Sequence, residues 1–162
     1  MEKKGSALKA ILAFILILVA ADFGAGFIAP YTGVCVSKSG GIAGSFDNYV
    51  FVRENYLTYM YHTNDAQQED KYIVSSGAFC ILSFMAKNDI ASYENAPEGI
   101  PVADAFNYGI TAVSSDGAKH SIIANGSDPN ATGDLSSLHS FMTFVPRIPL
   151  GKAEALGESR LG

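Results

Sequence analysis

The chain is short of positive charge. Its 162 residues hold 11 lysines and arginines against 16 aspartates and glutamates, a formal net charge of −5. Recognition of a nucleic-acid backbone needs a surplus of Lys and Arg, so a nucleic-acid partner is excluded. Charge of either sign is also scarce, at 17 % of residues, below the globular average of about 25 %. Aromatic residues reach 11 %, and that combination excludes wholesale disorder. No internal repeat and no extended low-complexity tract occurs. Gly-x-Ser-x-Gly, phosphate-loop and dinucleotide fingerprints are all missing, and no pair of histidines has a local metal-ligand spacing. Nothing here argues for an enzyme or for a cofactor, and the length suits one domain with room for a terminal segment.

The first thirty residues carry the strongest signal. Lys3, Lys4 and Lys9 precede an uncharged apolar run over residues 10–21, the layout of a secretory leader. Val19-Ala20-Ala21 sets small residues at minus three and minus one, so a signal peptide 1–21 would be cut before Asp22. The competing reading is an uncleaved anchor over residues 1–30. The chain stays apolar from Phe23 to Ala29, and 10–30 is about long enough to cross a bilayer. Its cost is Asp22, roughly 2.5–3.5 kcal/mol at the centre of a span. Ala21, Ala25 and Ala29 at four-residue spacing offer a small-residue face for another helix. In both readings the lysines stay cytoplasmic and the rest is exported.

Lys3-Lys4-Gly5 directly before an apolar helix resembles the leader of type IV pilins and their archaeal relatives, which are cut after that Gly. The resemblance covers about 25 residues and implies a filament subunit beginning at Ser6. Ala10 stands where many bacterial members carry Glu, and Lys9 interrupts the apolar start.

Beyond the leader the pattern is that of a β-rich domain. Residues 31–48 are rich in Gly and Ser and read as a connection. Residues 49–150 read as an antiparallel β-sandwich-like domain, and 151–162 as a frayed or partner-docked tail. Two long strands are expected over residues 49–62 and 72–86, with a bulge or bend at Gly77. A hairpin is expected about Asp116-Gly117, pairing Val113 with His120 and Thr111 with Ile122. Residues 125–139 read as loop and 140–145 as a short strand. An even cysteine count in an exported chain reads as one disulfide, Cys35 to Cys80. Its loop of about 45 residues would be worth roughly 4 kcal/mol.

The sites with chemical character are few. Asp128, Asn130, Thr132 and Asp134 alternate as in the front half of a calcium loop, with Gly133 sixth, but His139 stands where a bidentate Glu belongs. An ordinary Asx-rich turn is the plainer reading. Asn125-Gly-Ser127 and Asn130-Ala-Thr132 are glycosylation sequons. His62 with Asp65, Glu69 and Asp70 could suggest a metal site, but zinc needs three or four converging ligands and solvated loop residues are the plainer reading. Tyr49, Tyr56, Tyr59, Tyr61 and Tyr72 cluster, supplying apolar area with polar tips, suited either to an interface or to the edge of a core. Together these features lead to a non-catalytic, single-pass, membrane-anchored extracytoplasmic domain, a structural or accessory subunit whose partners are other protein subunits and the lipid bilayer. A secreted ligand-binding module is the alternative.

Overall fold

Helix α1 (Glu2–Ile28) leads through Ala29 and Pro30 straight into strand β1 (Tyr31–Gly40). Then follow β2 (Ser45–Glu54), β3 (Leu57–Asn64), β4 (Gln68–Val74), helix α2 (Ser76–Tyr93), β5 (Phe106–Ser114), β6 (Lys119–Ala124), helix α3 (Pro129–Phe144), β7 (Arg147–Glu154) and a short 3-10 turn, Gly157–Leu161. The computed structural model describes residues 2–41, 44–64, 68–95, 105–125, 129–154 and 156–162. The strands form one seven-stranded sheet in the order β6-β5-β1-β2-β3-β4-β7, antiparallel at every pairing.

The expected antiparallel sheet and N-terminal helix are present; among the described residues there is no second sheet to make a sandwich. Helices α2 and α3 cover one face instead. Phe79, Leu82, Ala86 and Ile90 of α2 follow helical spacing and pack with Ala131, Leu135, Leu138 and Met142 of α3 onto Val34, Val36, Phe51, Met60 and Ile110 of the sheet. Full burial of a side chain such as Phe79 or Leu82 contributes roughly 2 kcal/mol. The other face holds Cys35, Val50 and Tyr61 beneath Leu161 of the C-terminal turn. Gly33 makes that approach possible, because a Cβ there would lie 2.6 Å from the Leu161 side chain.

Several local expectations are corrected by the same physics. The Gly- and Ser-rich 31–48 segment is no linker: β1 occupies the middle of the sheet, bonded to β2 and β5. The apparent long strand over 49–62 is two strands, because Asn55 and Tyr56 take φ of 47° and 73° and form a two-residue turn between the Glu54–Leu57 pair. The second expected strand ends at Val74. Ser75, extended at φ −62° and ψ 133°, caps α2 by accepting from the amide of Ala78. Gly77 therefore sits in a first helical turn and not at a bulge. Residues 129–144 are helix, opened by Pro129 at a position where its missing N–H costs nothing.

The β5–β6 hairpin forms where expected, one residue out of register. Ala112 pairs with His120 and Thr111 with Ser121. Ser114 and Ala118 close a three-residue loop, with Gly117 at φ 84°, the form in which a left-handed glycine completes the turn. In place of a frayed end, β7 pairs with β4 at the sheet edge, where Pro149 is tolerated, and Gly157–Leu161 form the 3-10 turn.

The expected disulfide is not formed. Cys35 and Cys80 are both buried free thiols, one beneath the C-terminal turn and the other on α2, with the sheet between them. The Cys35 thiol donates to Asn48 Oδ1 at 3.0 Å.

Candidate functional site

Two places gather polar side chains onto rigid elements. The first is the junction between α1 and the domain. From Ile11 to Ala21 the helix is exposed throughout, whereas Asp22 and Ala25 are half-buried and Gly26 is buried. Ile11–Ile28 is long and apolar enough to cross a membrane, and only 6 % of that stretch is buried. Asp22, which looked like a liability in an apolar run, is placed against the start of α2. Its carboxylate accepts from the Ser75 hydroxyl, from the Ser76 amide at 3.2 Å and from the Gly77 amide at 2.9 Å. The first amides of a helix have no internal partners, and the helix dipole favours an anion there.

One turn further along, Arg53 donates to the carbonyl of Gly26 and lies 4.2 Å from the centre of the Phe27 ring. Phe27 in turn meets Tyr56 at 5.9 Å. The last turns of α1 are thus gripped from two sides, by the N-terminus of α2 and by the β2–β3 turn. Ala25 is half-covered and Ala29 packs against the core. Of the expected small-residue face, Ala21 alone stays fully exposed.

The second place is under α3. Asp47 on β2 stands between two imidazoles: His62 Nε2 donates to Oδ1 at 2.6 Å, and His139 Nε2 lies 3.2 Å from Oδ2. That second contact is an ion-pair distance off the line of a hydrogen bond, so the buried His139 Nε2 has no hydrogen-bond partner. Tyr49 stacks on His62 at 4.4 Å and meets His139 edge-on at 5.5 Å. Burial holds the His139 imidazole below its ordinary pKa, against the opposing pull of Asp47 and with the help of Lys38. Burial, then Asp47, pushes the Tyr49 phenol up. Among the described residues no group of three or more His, Cys, Asp or Glu is placed to hold a metal ion.

The other sequence candidates disperse. Asn130, Thr132 and Asp134 lie in the first turns of α3, where residues two apart point to different sides and do not converge as loop ligands. Thr132 donates to the Asn125 carbonyl at 2.8 Å, and Asp134 accepts from Tyr93 at 2.5 Å. Asp128 and Ser127 lie outside the described residues. Of the two sequon asparagines, Asn125 is half-buried and Asn130 exposed. Asp65 is also outside the described residues, while Asp70 pairs with Lys152 at 2.7 Å. Glu69 faces away from His62. It is 0 % exposed, pairs with Arg160 Nε at 2.5 Å and accepts from the Gly157 amide at 2.7 Å.

No family model, curated protein or solved structure matches this chain.

Among the tyrosines, Tyr49 and Tyr61 are core, and Tyr59 and Tyr72 are half-buried under Lys71 and Arg147. Tyr56 alone is open, 64 % exposed. Asp47, Arg53, Ser75 and Ser76 were missed in the sequence. Asp47 has its partners 15 and 92 positions away, which no local pattern reports. Arg53 carried no signal beyond its charge. For Asp22 a signal existed: a lone carboxylate in an apolar run, and a Ser-Ser-Gly helix start lacking an acidic residue in its first turn.

Proposed function

We propose that this chain is a non-catalytic extracytoplasmic domain, held at a membrane by α1 and acting as a structural or accessory subunit of a larger assembly. The observation that carries the reading is the contrast along α1. Its first part is bare and apolar, while Asp22 and Arg53 fasten its last turns to the domain. Bare apolar helix is unfavourable in water, by about 25 cal/mol for each Å², so its cover comes from lipid or from neighbouring helices. The helix is continuous across the bond between Ala21 and Asp22, which joins anchor and domain as one piece. Lys3, Lys4 and Lys9 set the cytoplasmic side, and the sheet-and-helix body stands on the other.

The test is the N-terminus of native material, read by mass spectrometry alongside detergent fractionation. The proposal expects a detergent-requiring chain that retains Lys3 and Lys4. A soluble chain starting at Asp22 would make it a secreted binding module. A chain starting at Ser6 and assembled into fibres would make it a pilin-like filament subunit.

A further inference from the structure

The length of α1 constrains where the domain sits, given the membrane reading above. The hydrocarbon core is about 30 Å thick and takes about 20 helical residues. Between Lys9 and the first residue gripped by the domain, Asp22, only residues 10–21 project freely, about 18 Å of helix at about 1.5 Å per residue. The free helix is therefore too short to span while the domain stands clear of the bilayer. The missing length lies in residues 22–28, which Ser75, Ser76, Gly77 and Arg53 hold. Those turns cannot reach the membrane without bringing the flank of the domain with them.

That flank has the composition of an interfacial surface. Phe23, Tyr56 and Ile148 line a single groove of about 430 Å³ beside α1, and Phe27 closes against Tyr56 at 5.9 Å. Tyr56 and Ile148 are each 64 % exposed. Tyrosine, with an apolar ring and a polar tip, favours the headgroup level. Arg147 lines the groove, its guanidinium 5.2 Å from the centre of the Tyr72 ring, and Arg53 lies 4.2 Å from the Phe27 ring while donating to the Gly26 carbonyl. Both put positive charge beside the flank, which favours anionic lipid headgroups. Glu54 is the anionic side chain of that turn. We propose that this α1-proximal flank, centred on Phe23, Phe27, Tyr56 and Ile148, is a lipid-docking surface seated in the headgroup layer of the bilayer that α1 crosses.

The chain has no tryptophan, so single tryptophans report cleanly. The full chain is reconstituted in vesicles of phosphatidylcholine and phosphatidylglycerol carrying a spin label near the headgroup or deep in the acyl chain. Tyr56→Trp and Ile148→Trp report the flank, and two variants guard against one that misfolds. Phe106→Trp reports the far ends of the strands, where Phe106 pairs with Gly40. Phe14→Trp reports the span. The proposal expects headgroup-labelled lipid to quench the two flank reporters several-fold more than Phe106→Trp. If they are quenched no more than Phe106→Trp while deep label quenches Phe14→Trp, the helix spans, the domain stands off, and docking alone is overturned. If Phe14→Trp also escapes quenching, the membrane reading falls with it.

Discussion

Asp22 caps a helix to which it does not belong: its carboxylate takes the Ser75 hydroxyl and the amides of Ser76 and Gly77, more than fifty residues away along the chain. Replacing it leaves those amides without their acceptor. Asp22→Ala is expected to cost about 1 kcal/mol, lowering the midpoint of thermal unfolding in detergent by about 3 °C for a chain of this size. Asp22→Asn keeps an acceptor and should lose less. An unchanged midpoint in Asp22→Ala would remove the carboxylate from any role at the junction.

Among the described residues Glu69 and Arg160 form the most buried ion pair, with Glu69 fully enclosed. Removing one partner strands a charge, so Arg160→Gln should destabilise by about 3 kcal/mol, whereas the double variant with Glu69→Gln should recover part of that loss. Denaturant titration of both decides it. A single variant no less stable than the double would show that the pair does not fasten the C-terminal turn.

Cys35 is packed under that turn, where burial, with Glu158 adding to it, pushes its thiol up to about 12. The thiolate is the reactive form. Below pH 9 Cys35 should resist a maleimide on the folded chain and react on unfolding. The folded protein, prepared without reductant, should show two free thiols by intact mass, and reduction should leave its melting point unchanged. A mass two hydrogens lower would contradict the separation of Cys35 from Cys80.

His139 sets the expected acid dependence. Its folded pKa is lowered, so between that value and about 6.5 the unfolded chain binds the proton and the folded chain does not. Stability should then be intact above about pH 6.5 and fall as the solution is acidified below it. In His139→Gln the melting point should vary less between neutral and mildly acidic buffer. An equal slope in the variant would assign the dependence to other groups.

The sequence revealed the apolar helix, the sheet-forming character of the body and the position of the β5–β6 turn, because each rests on neighbours along the chain. It hid the helices α2 and α3. Their apolar residues are spaced for a helix, but the Phe and Ile content of α2 and its run-on from the Tyr72–Val74 strand favour strand, while the Pro, Asn, Gly and Ser of α3 favour a loop. Asn55-Tyr56 passed unnoticed since Tyr is an unusual residue at positive φ. The Asp47 cluster and the Glu69–Arg160 pair depend on register between strands and on a tail folded back across the sheet, both properties of topology. The disulfide expectation failed for a related reason: cysteine parity carries no information about which side of a sheet each thiol occupies.

Helix α1 runs into β1, and β1 is bonded along its length by β2 on one side and β5 on the other. A pull on the leading helix therefore cannot peel away an outer strand one bond at a time. It must slide an interior strand lengthwise past two neighbours and shear both ladders together, so tension from the N-terminus is delivered to the mechanically toughest line in the molecule.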